Sequence, residues 1–177
     1  MGSDLLTVLQ AAKYRNCKTI IGIDKIPSRL ALAQELGCHH VINTTELSNL
    51  SDIVPKIQSL SSGLGCSLAI ETTGYPPLIA HAVEFTANAG KILQVGVTPP
   101  TATLDVPLHH FVSFGKVYMG AIEGDSVPAE MVPKMIGWWR EGKFPLERLV
   151  GFFEAEGFEK AVNGMKDGSV VKPILLW

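Results

Sequence analysis

The chain has 177 residues, of which 46% are hydrophobic and 18% charged, and its formal net charge is -2. This length and apolar content are enough for one domain with a full core. The small negative charge argues against a nucleic-acid or anionic-membrane partner. No signal peptide or membrane-spanning apolar run is visible in the sequence, so we expect a cytoplasmic protein.

Helices and short apolar strands alternate in the first hundred residues. The predicted elements are a helix at 3–15, a strand at 17–24, a helix at 27–37, a strand at 41–42, a helix at 52–60, a strand at 66–72, a helix at 76–88 and a strand at 91–97. Such alternation with short connections predicts an α/β fold with a doubly wound (Rossmann) parallel sheet.

The pattern changes after Pro100. Strands are predicted at 104–106 and 116–122, around a short segment that carries His109 and His110. A helix follows at 127–141, then a short helix at 158–166 and a last strand at 170–176.

The strand at 17–24 ends in a single acid, Asp24. Open α/β sheets bind ligands at the edge where the carboxyl ends of their strands lie. In a dinucleotide-binding fold a carboxylate there accepts hydrogen bonds from both hydroxyls of the adenosine ribose. It would repel a 2′-phosphate, so Asp24 favours NAD over NADP. The alternative is that Asp24 only ends the strand and begins the next turn.

Nine segments occur in an order that resembles the C-terminal, cofactor-binding half of zinc-type alcohol dehydrogenases, in the medium-chain dehydrogenase/reductase superfamily. Among them are Glu71-Thr72-Thr73-Gly74 and a valine pair around Gly96. The segments lie at 2–3, 17–24, 28–37, 41–43, 71–74, 90–97, 120–126, 142–145 and 168–173. The resemblance covers essentially the whole chain.

The resemblance implies one cofactor-binding domain over 1–177, with a Rossmann core at 1–122 and an extension at 123–177 that in the family returns to the catalytic domain. It implies NAD as the cofactor. The implied cofactor-binding residues are Gly2, Asp24, Lys25, Arg29, Thr72, Thr73, Val95, Gly96, Val97, Ala121, Ile122 and Lys172.

Their implied roles follow the length of the cofactor. Asp24 would hold the adenosine ribose, flanked by Lys25 and Arg29. The residues at 72–73 and 95–97 would line the path toward the nicotinamide, and those at 121–122 would lie near its carboxamide. Lys172 matches a basic position that contacts the pyrophosphate.

The glycine-rich fingerprint of the family, G-x-G-x-x-G, is incomplete in this chain. Gly2 falls on its second glycine and Leu5 on its third, so the first strand of the sheet would precede Met1. Without that strand, the strands that end at Asp24 and Thr72 would lie roughly 10 Å apart, with unpaired backbone groups between them. We expect either that these two strands pair directly or that the isolated chain is aggregation-prone and partly ordered. Closure of the gap would make NAD binding far weaker than in an intact family member.

The family's zinc ligands and proton relay come from an N-terminal domain that this sequence does not include. His39-His40 and His109-His110 are adjacent pairs, and no cysteine or acid lies at ligand spacing from them. The three cysteines are widely spaced without a C-x-x-C pair, which favours reduced structural thiols. We therefore expect no catalytic residue and no metal site in this chain.

Two functions from different classes remain open. The first is the NAD-binding half of a zinc-type alcohol dehydrogenase, with a weak indication of an aryl or benzyl alcohol from the segment at 123–126, and inactive as this chain alone. The second is a non-catalytic truncated paralogue that keeps the fold and the dimer contact. A zinc-free quinone reductase usually prefers NADPH, which Asp24 disfavours, and a methyltransferase does not fit the segments after Pro100.

The strand at 116–122 predicts a homodimer. In the family the matching strand pairs with its symmetry mate and joins two sheets into one. Here it is apolar and carries few of the charges that protect an open edge. The alternative is that the chain itself covers this strand.

Overall fold

A computed structural model describes the chain from residue 3 to residue 177, and its side chains from Leu5 onward. The chain divides into two compact units, which we name the central unit (residues 44–125) and the split unit (residues 3–43 with 126–177). The single-domain organisation inferred from the sequence stays a prediction. No helix in the described range is both long and apolar enough to cross a membrane.

The fold is α/β, with parallel strand pairing throughout the described sheets. The helices are α1 (Ser3–Tyr14), α2 (Pro27–Glu35), α3 (Ile53–Leu60), α4 (Pro76–Phe85), α5 (His109–Val112), α6 (Pro128–Arg140) and α7 (Phe158–Asp167). The strands are β1 (Ile21–Asp24), β2 (His40–Asn43), β3 (Cys66–Glu71), β4 (Thr86–Gln94), β5 (Val117–Gly120), β6 (Val150–Glu154) and β7 (Lys172–Leu176).

The central unit is a three-stranded parallel sheet in the order β3-β4-β5. Pro76 opens α4, where its missing N–H costs nothing and its fixed φ suits the first turn. Apolar side chains of the helices and of β4 are almost fully buried and form the core of this unit. They are Ile53, Ile57, Ile79, Val83 and Ile92.

The split unit contains two parallel strand pairs, β1-β2 and β6-β7. Leu6 and Leu9 of α1 are buried in one cluster with residues of α2 and with Leu149. The three cysteines of the chain, one of them in this cluster, are free thiols. Removing the apolar stripe of α1 from water stabilises this packing by about 2 kcal/mol for each buried leucine.

The two strands that were expected to close the gap in the sheet do not pair with each other. Within residues 3–177, β1 pairs with β2 alone and β3 pairs with β4 alone. The prediction of direct pairing is therefore wrong, because β1 and β3 belong to different units and each finds its partner inside its own unit. Partial order and aggregation of the isolated chain stay predictions.

The helix predicted at 76–88 ends earlier, at Phe85. Thr86 is extended, pairs with Cys66 and donates its Oγ1 hydrogen to the carbonyl oxygen of Ala82 at 2.6 Å. The same carbonyl oxygen also accepts the backbone N–H of Thr86, so two hydrogen bonds hold this residue at the end of the helix. Strand β4 therefore begins at Thr86, not at Lys91.

The structure also differs from the strand predictions at 104–106, at 17–24 and at 150–154. Residues 104–106 form no strand, because no described strand pairs with them. Strand β1 covers only Ile21–Asp24, which is the length of its partner β2. Strand β6 was not predicted, since its pairing partner β7 lies some twenty residues later in the chain.

Candidate cofactor site

The carboxyl ends of β3, β4 and β5 lie at one edge of the central sheet. In the parallel register Glu71 pairs with Gln94, and Gln94 with Gly120. The residues that follow each strand therefore share that edge. They include seven of the candidates named from the sequence: Thr72, Thr73, Val95, Gly96, Val97, Ala121 and Ile122.

The carboxylate of Glu71 fixes the loop that follows β3. Its Oε1 accepts hydrogen bonds from the backbone N–H of Thr73 at 2.7 Å and from the Thr73 hydroxyl, and its Oε2 accepts from the N–H of Gly74 at 2.9 Å. Thr73 Oγ1 in turn accepts from the N–H of Tyr75 at 3.0 Å. Glu71 is only 4% exposed, so the loop around Thr73 is held by a buried charged acceptor.

The loops after β3 and β4 approach each other closely. A Cβ on Gly96 would lie 2.3 Å from the backbone nitrogen of Gly74, and one on Gly74 would lie 2.1 Å from the carbonyl oxygen of Val97. The N–H groups of Val95 and Gly96 both donate to the carbonyl oxygen of Glu71, at 2.8 and 3.0 Å. Glycine is therefore required at 74 and 96 for the two loops to meet.

A second polar contact joins β4 to β5. The Tyr118 hydroxyl donates to Gln94 Oε1, and Gln94 Nε2 donates to the carbonyl oxygen of Gly96 at 2.8 Å. The N–H of Ala121 donates to the carbonyl oxygen of Gln94 at 2.9 Å. Burial raises the pKa of Tyr118, and the negative charge of Glu71 raises it further, so the phenol stays a neutral donor.

Apolar side chains are exposed beside these polar contacts. Val97 is 87% exposed and Ile122 80% exposed, whereas Thr72 is buried. An exposed apolar surface next to fixed backbone groups offers packing for a planar ring together with hydrogen bonds at its rim.

Asp24 lies at the carboxyl end of β1 in the split unit. Its Oδ1 accepts from the N–H of Lys25 at 2.7 Å and from the N–H of Ile26 at 3.0 Å. Its Oδ2 lies 3.9 Å from Nη1 of Arg29. The carboxylate therefore does form the turn that leads into α2, and one of its oxygens remains for another donor.

Arg29 is buried, although it was expected to flank a ribose. Its Nη2 donates to the carbonyl oxygen of Met165 at 3.1 Å, and its Nε is buried without a hydrogen-bond partner in the described part of the chain. The hydroxyl of the preceding Ser28 donates to the carbonyl oxygen of Gly168 at 2.9 Å. These contacts join the start of α2 to the end of α7.

The remaining candidates in the split unit are exposed. Lys25 follows Asp24 directly, and Lys172 begins β7 with its backbone N–H donating to the carbonyl oxygen of Leu149 at 3.0 Å. Gly2 lies outside the described residues. The candidates thus divide between the two units, seven at the edge of the central sheet and four in the split unit.

Sequence reasoning missed Glu71, Gln94 and Tyr118. Glu71 carried a usable signal, because an acid at the end of a buried strand needs several donors to be stable there. The other two side chains carried none, since their contacts depend on the strand order. Across the described range, no group of three His, Cys, Asp or Glu residues is arranged to hold a metal ion.

Comparison with known proteins gives consistent matches. The family model described as zinc-binding dehydrogenase matches residues 6–140. Geraniol dehydrogenase of Castellaniella defragrans is 29% identical over 172 residues, which is 97% of this chain and 45% of that protein. A probable alcohol dehydrogenase of a Pseudomonas species is 33% identical over 122 residues, 68% of this chain and 37% of that protein.

Two crystal structures are similar in both sequence and fold. Benzyl alcohol dehydrogenase from Acinetobacter calcoaceticus is 32% identical with a TM-score of 0.90, over 96% of this chain and 46% of that chain. An alcohol dehydrogenase zinc-binding domain protein from Burkholderia ambifaria is 34% identical with a TM-score of 0.87, over 94% of this chain and 44% of that chain. The chain therefore spans less than half the length of each of these relatives.

Proposed function

Because the chain belongs to the zinc-binding dehydrogenase family, we propose that it is the NAD-binding half of a zinc-type alcohol dehydrogenase. Such an enzyme moves a hydride between an alcohol carbon and the nicotinamide. The matched region is the C-terminal, NAD-binding half of these enzymes. The match over residues 6–140 carries the proposal. An aryl or benzyl alcohol as substrate is supported by the similarity to benzyl alcohol dehydrogenase.

The residues at Asp24 fit the adenosine half of NAD. Oδ1 is used by two backbone N–H groups, whereas no described group donates to Oδ2 within hydrogen-bond distance. We propose that Oδ2 accepts from the ribose hydroxyls, with Lys25 and Arg29 beside it. When bound, NAD supplies the ring that accepts the hydride.

The edge of the central sheet fits the other half of the cofactor. We propose that backbone groups at 72–73 and 95–97 and the exposed valine side chains line the path to the nicotinamide, and that Ala121 and Ile122 lie near its carboxamide. We propose that Lys172 contacts the pyrophosphate. We propose the same for Gly2, because it falls on the second glycine of the fingerprint. Close backbone contacts fix the loops at Gly74 and Gly96, which supports this proposal. A ligand that binds to fixed loops does not lose free energy to ordering them.

The described residues do not offer a donor set for zinc. No catalytic step through zinc is therefore assigned to this chain. Its own contribution is to bind and orient the cofactor.

Calorimetric titration should show that the chain binds NAD more tightly than NADP. Asp24→Asn keeps an oxygen acceptor for the turn but removes the charge, so the preference should fall roughly tenfold or more, the effect of losing a charge-assisted hydrogen bond. Asp105→Asn removes one exposed charge in the central unit and should leave the preference unchanged. Equal affinity of the unsubstituted chain for both nucleotides would contradict the role of Asp24.

The 177-residue chain is expected to hold no stoichiometric zinc and to oxidise no benzyl alcohol when NAD is added. The reason is the lack of a ligand group among the described residues. Elemental analysis of dialysed protein checks the first part and NADH absorbance the second. One tightly held zinc per chain would show that this expectation is wrong.

We propose a homodimer through β5, the edge strand of the central sheet. Val117 and Met119 are 42% and 43% exposed on it, and an open apolar edge pairs readily with a second copy. Met119→Lys should convert the dimer to a monomer in light scattering, because it places a charge in the contact. Val132→Lys, on the exposed face of α6, is the matched control and should stay dimeric. A monomeric parent protein at micromolar concentration would overturn the proposal.

A further inference from the structure

A cleft of about 530 Å³ lies at the amino ends of the strands of the central sheet, at the edge opposite the candidate cofactor site. Lys116 comes directly before β5, Thr86 begins β4 and Leu64 lies just before β3. The cleft is lined by Gln58, Gly63, Leu64, Glu84, Phe85, Thr86, Ala87, Asn88, His110, Phe114 and Lys116. Nothing in the proposed dehydrogenase function uses these residues.

The ammonium of Lys116 is buried in this cleft, with 7% of the residue exposed. Its Nζ donates to the carbonyl oxygens of Val83 at 2.6 Å and Glu84 at 3.1 Å, at the end of α4. No carboxylate of the described chain lies within ion-pair distance of it. Burial lowers the pKa of Lys116, whereas the nearby Cys66 and Glu84 raise it. Two of its three hydrogens are used, and one remains.

His110 contributes a second unsatisfied group to the same cleft. Its Nδ1 is buried and has no hydrogen-bond partner among the residues that the structure describes. Burial lowers the pKa of His110 and the charge of Lys116 lowers it further, whereas Glu84 raises it. A buried ring nitrogen without a partner costs free energy that a bound ligand would recover.

The rest of the cleft combines polar and apolar side chains. The ring of Phe114 lies with its centroid 5.8 Å from Nζ of Lys116, and Leu64 is 76% exposed. The carboxylate of Glu84 also lines the cleft, where it is hydrogen-bonded to Nδ1 of His81 at 3.2 Å, and its charge raises the pKa of both Lys116 and His110. One buried ammonium calls for one negative charge, which favours a monoanion over phosphate or another polyanion.

We propose that this cleft binds an organic monocarboxylate with a short aromatic or alkyl body. One carboxylate oxygen accepts from Nζ of Lys116 and the other from an Nδ1–H of His110. The apolar body packs against Phe114 and Leu64. This pairing supplies the missing counter-ion and the missing hydrogen-bond partner together.

Benzoate is the probe, titrated into the full chain by NMR with benzamide as its neutral isostere. Benzoate should bind at least about tenfold more tightly than benzamide, since only the anion pairs with Lys116. Its shifts should map to the backbone amides of Ala87, Asn88 and Phe114. Excess NAD should leave them unchanged, because this cleft lies at the amino ends of the central strands, opposite the edge formed by residues 72–73 and 95–97.

Lys116→Met keeps the length of the side chain, removes its charge and should weaken benzoate binding roughly 10- to 100-fold. Lys91→Met removes an exposed lysine from β4 of the same sheet and should leave the affinity unchanged. Because Lys116 also caps α4, the Lys116→Met variant risks misfolding. His110→Phe is therefore the second variant, and its affinity for benzoate should fall severalfold. Equal affinity for benzamide, unchanged affinity in both variants, or shifts confined to the cofactor edge would each overturn the proposal.

Discussion

Gly96→Ala is expected to lower the free energy of unfolding by about 2–4 kcal/mol and to abolish measurable NAD binding. The added Cβ would lie 2.3 Å from the backbone nitrogen of Gly74 and 2.7 Å from the backbone of Thr72. Backbone atoms cannot move aside like the end of a flexible side chain, so the loops after β3 and β4 must separate. Urea unfolding measures the first effect and calorimetry the second.

Gly120→Ala is the matched control for this variant. Gly120 ends the next strand of the same sheet, and an added Cβ there meets no atom within 4 Å. Its free energy of unfolding should change by at most about 1 kcal/mol, in the stabilising direction because alanine restricts the unfolded chain. Equal stability of the two variants would show that the loops tolerate separation.

Glu71→Ala is expected to cost about 3–5 kcal/mol of unfolding free energy, because it leaves three donors without their acceptor. The loop at Thr73 and Gly74 then loses its fixed shape, and NAD affinity should fall with stability. Chemical denaturation followed by circular dichroism gives the stability, and calorimetry gives the affinity.

Glu71→Gln separates the hydrogen bonds from the charge. Its amide oxygen still serves Thr73, whereas its amino group faces the N–H of Gly74, so a loss of about 1–2 kcal/mol is expected. The pKa of Tyr118 should fall toward its ordinary value, since the charge that helps to raise it is gone. Glu159→Gln, on the exposed face of α7, should change neither quantity. An unchanged Tyr118 titration would rule out the electrostatic contact.

Local signals in the sequence predicted the helix starts well. Pro27 and Pro76 each stand at the first position of an observed helix, as predicted, because a proline there loses no hydrogen bond. Asp24 was also expected at the end of its strand, where the structure has it. The family resemblance drawn from the ordered motifs is confirmed by the match over residues 6–140.

Contacts across the chain were not predicted. The placement of Arg29 beside the ribose stays a prediction, but nothing in the sequence indicated that its Nη2 donates to the carbonyl oxygen of Met165, 136 positions later. From the sequence, Lys116 was expected to begin an apolar strand. In the structure its ammonium holds the end of α4 by hydrogen bonds to two carbonyl oxygens. Partners that are so distant in the chain produce no periodic pattern in the residues around either position.

The sequence by itself determined the α/β class, the alternation of elements and the acid at the end of β1, because burial periodicity and helix-start residues are local properties. Only the tertiary structure decided that β1 pairs with β2 alone among the described strands, that Thr86 begins a strand, and that Glu71 and two glycines hold the candidate edge. The physical reason is that a strand ends where its neighbour ends, and a buried donor or acceptor is satisfied by whichever group the fold brings to it.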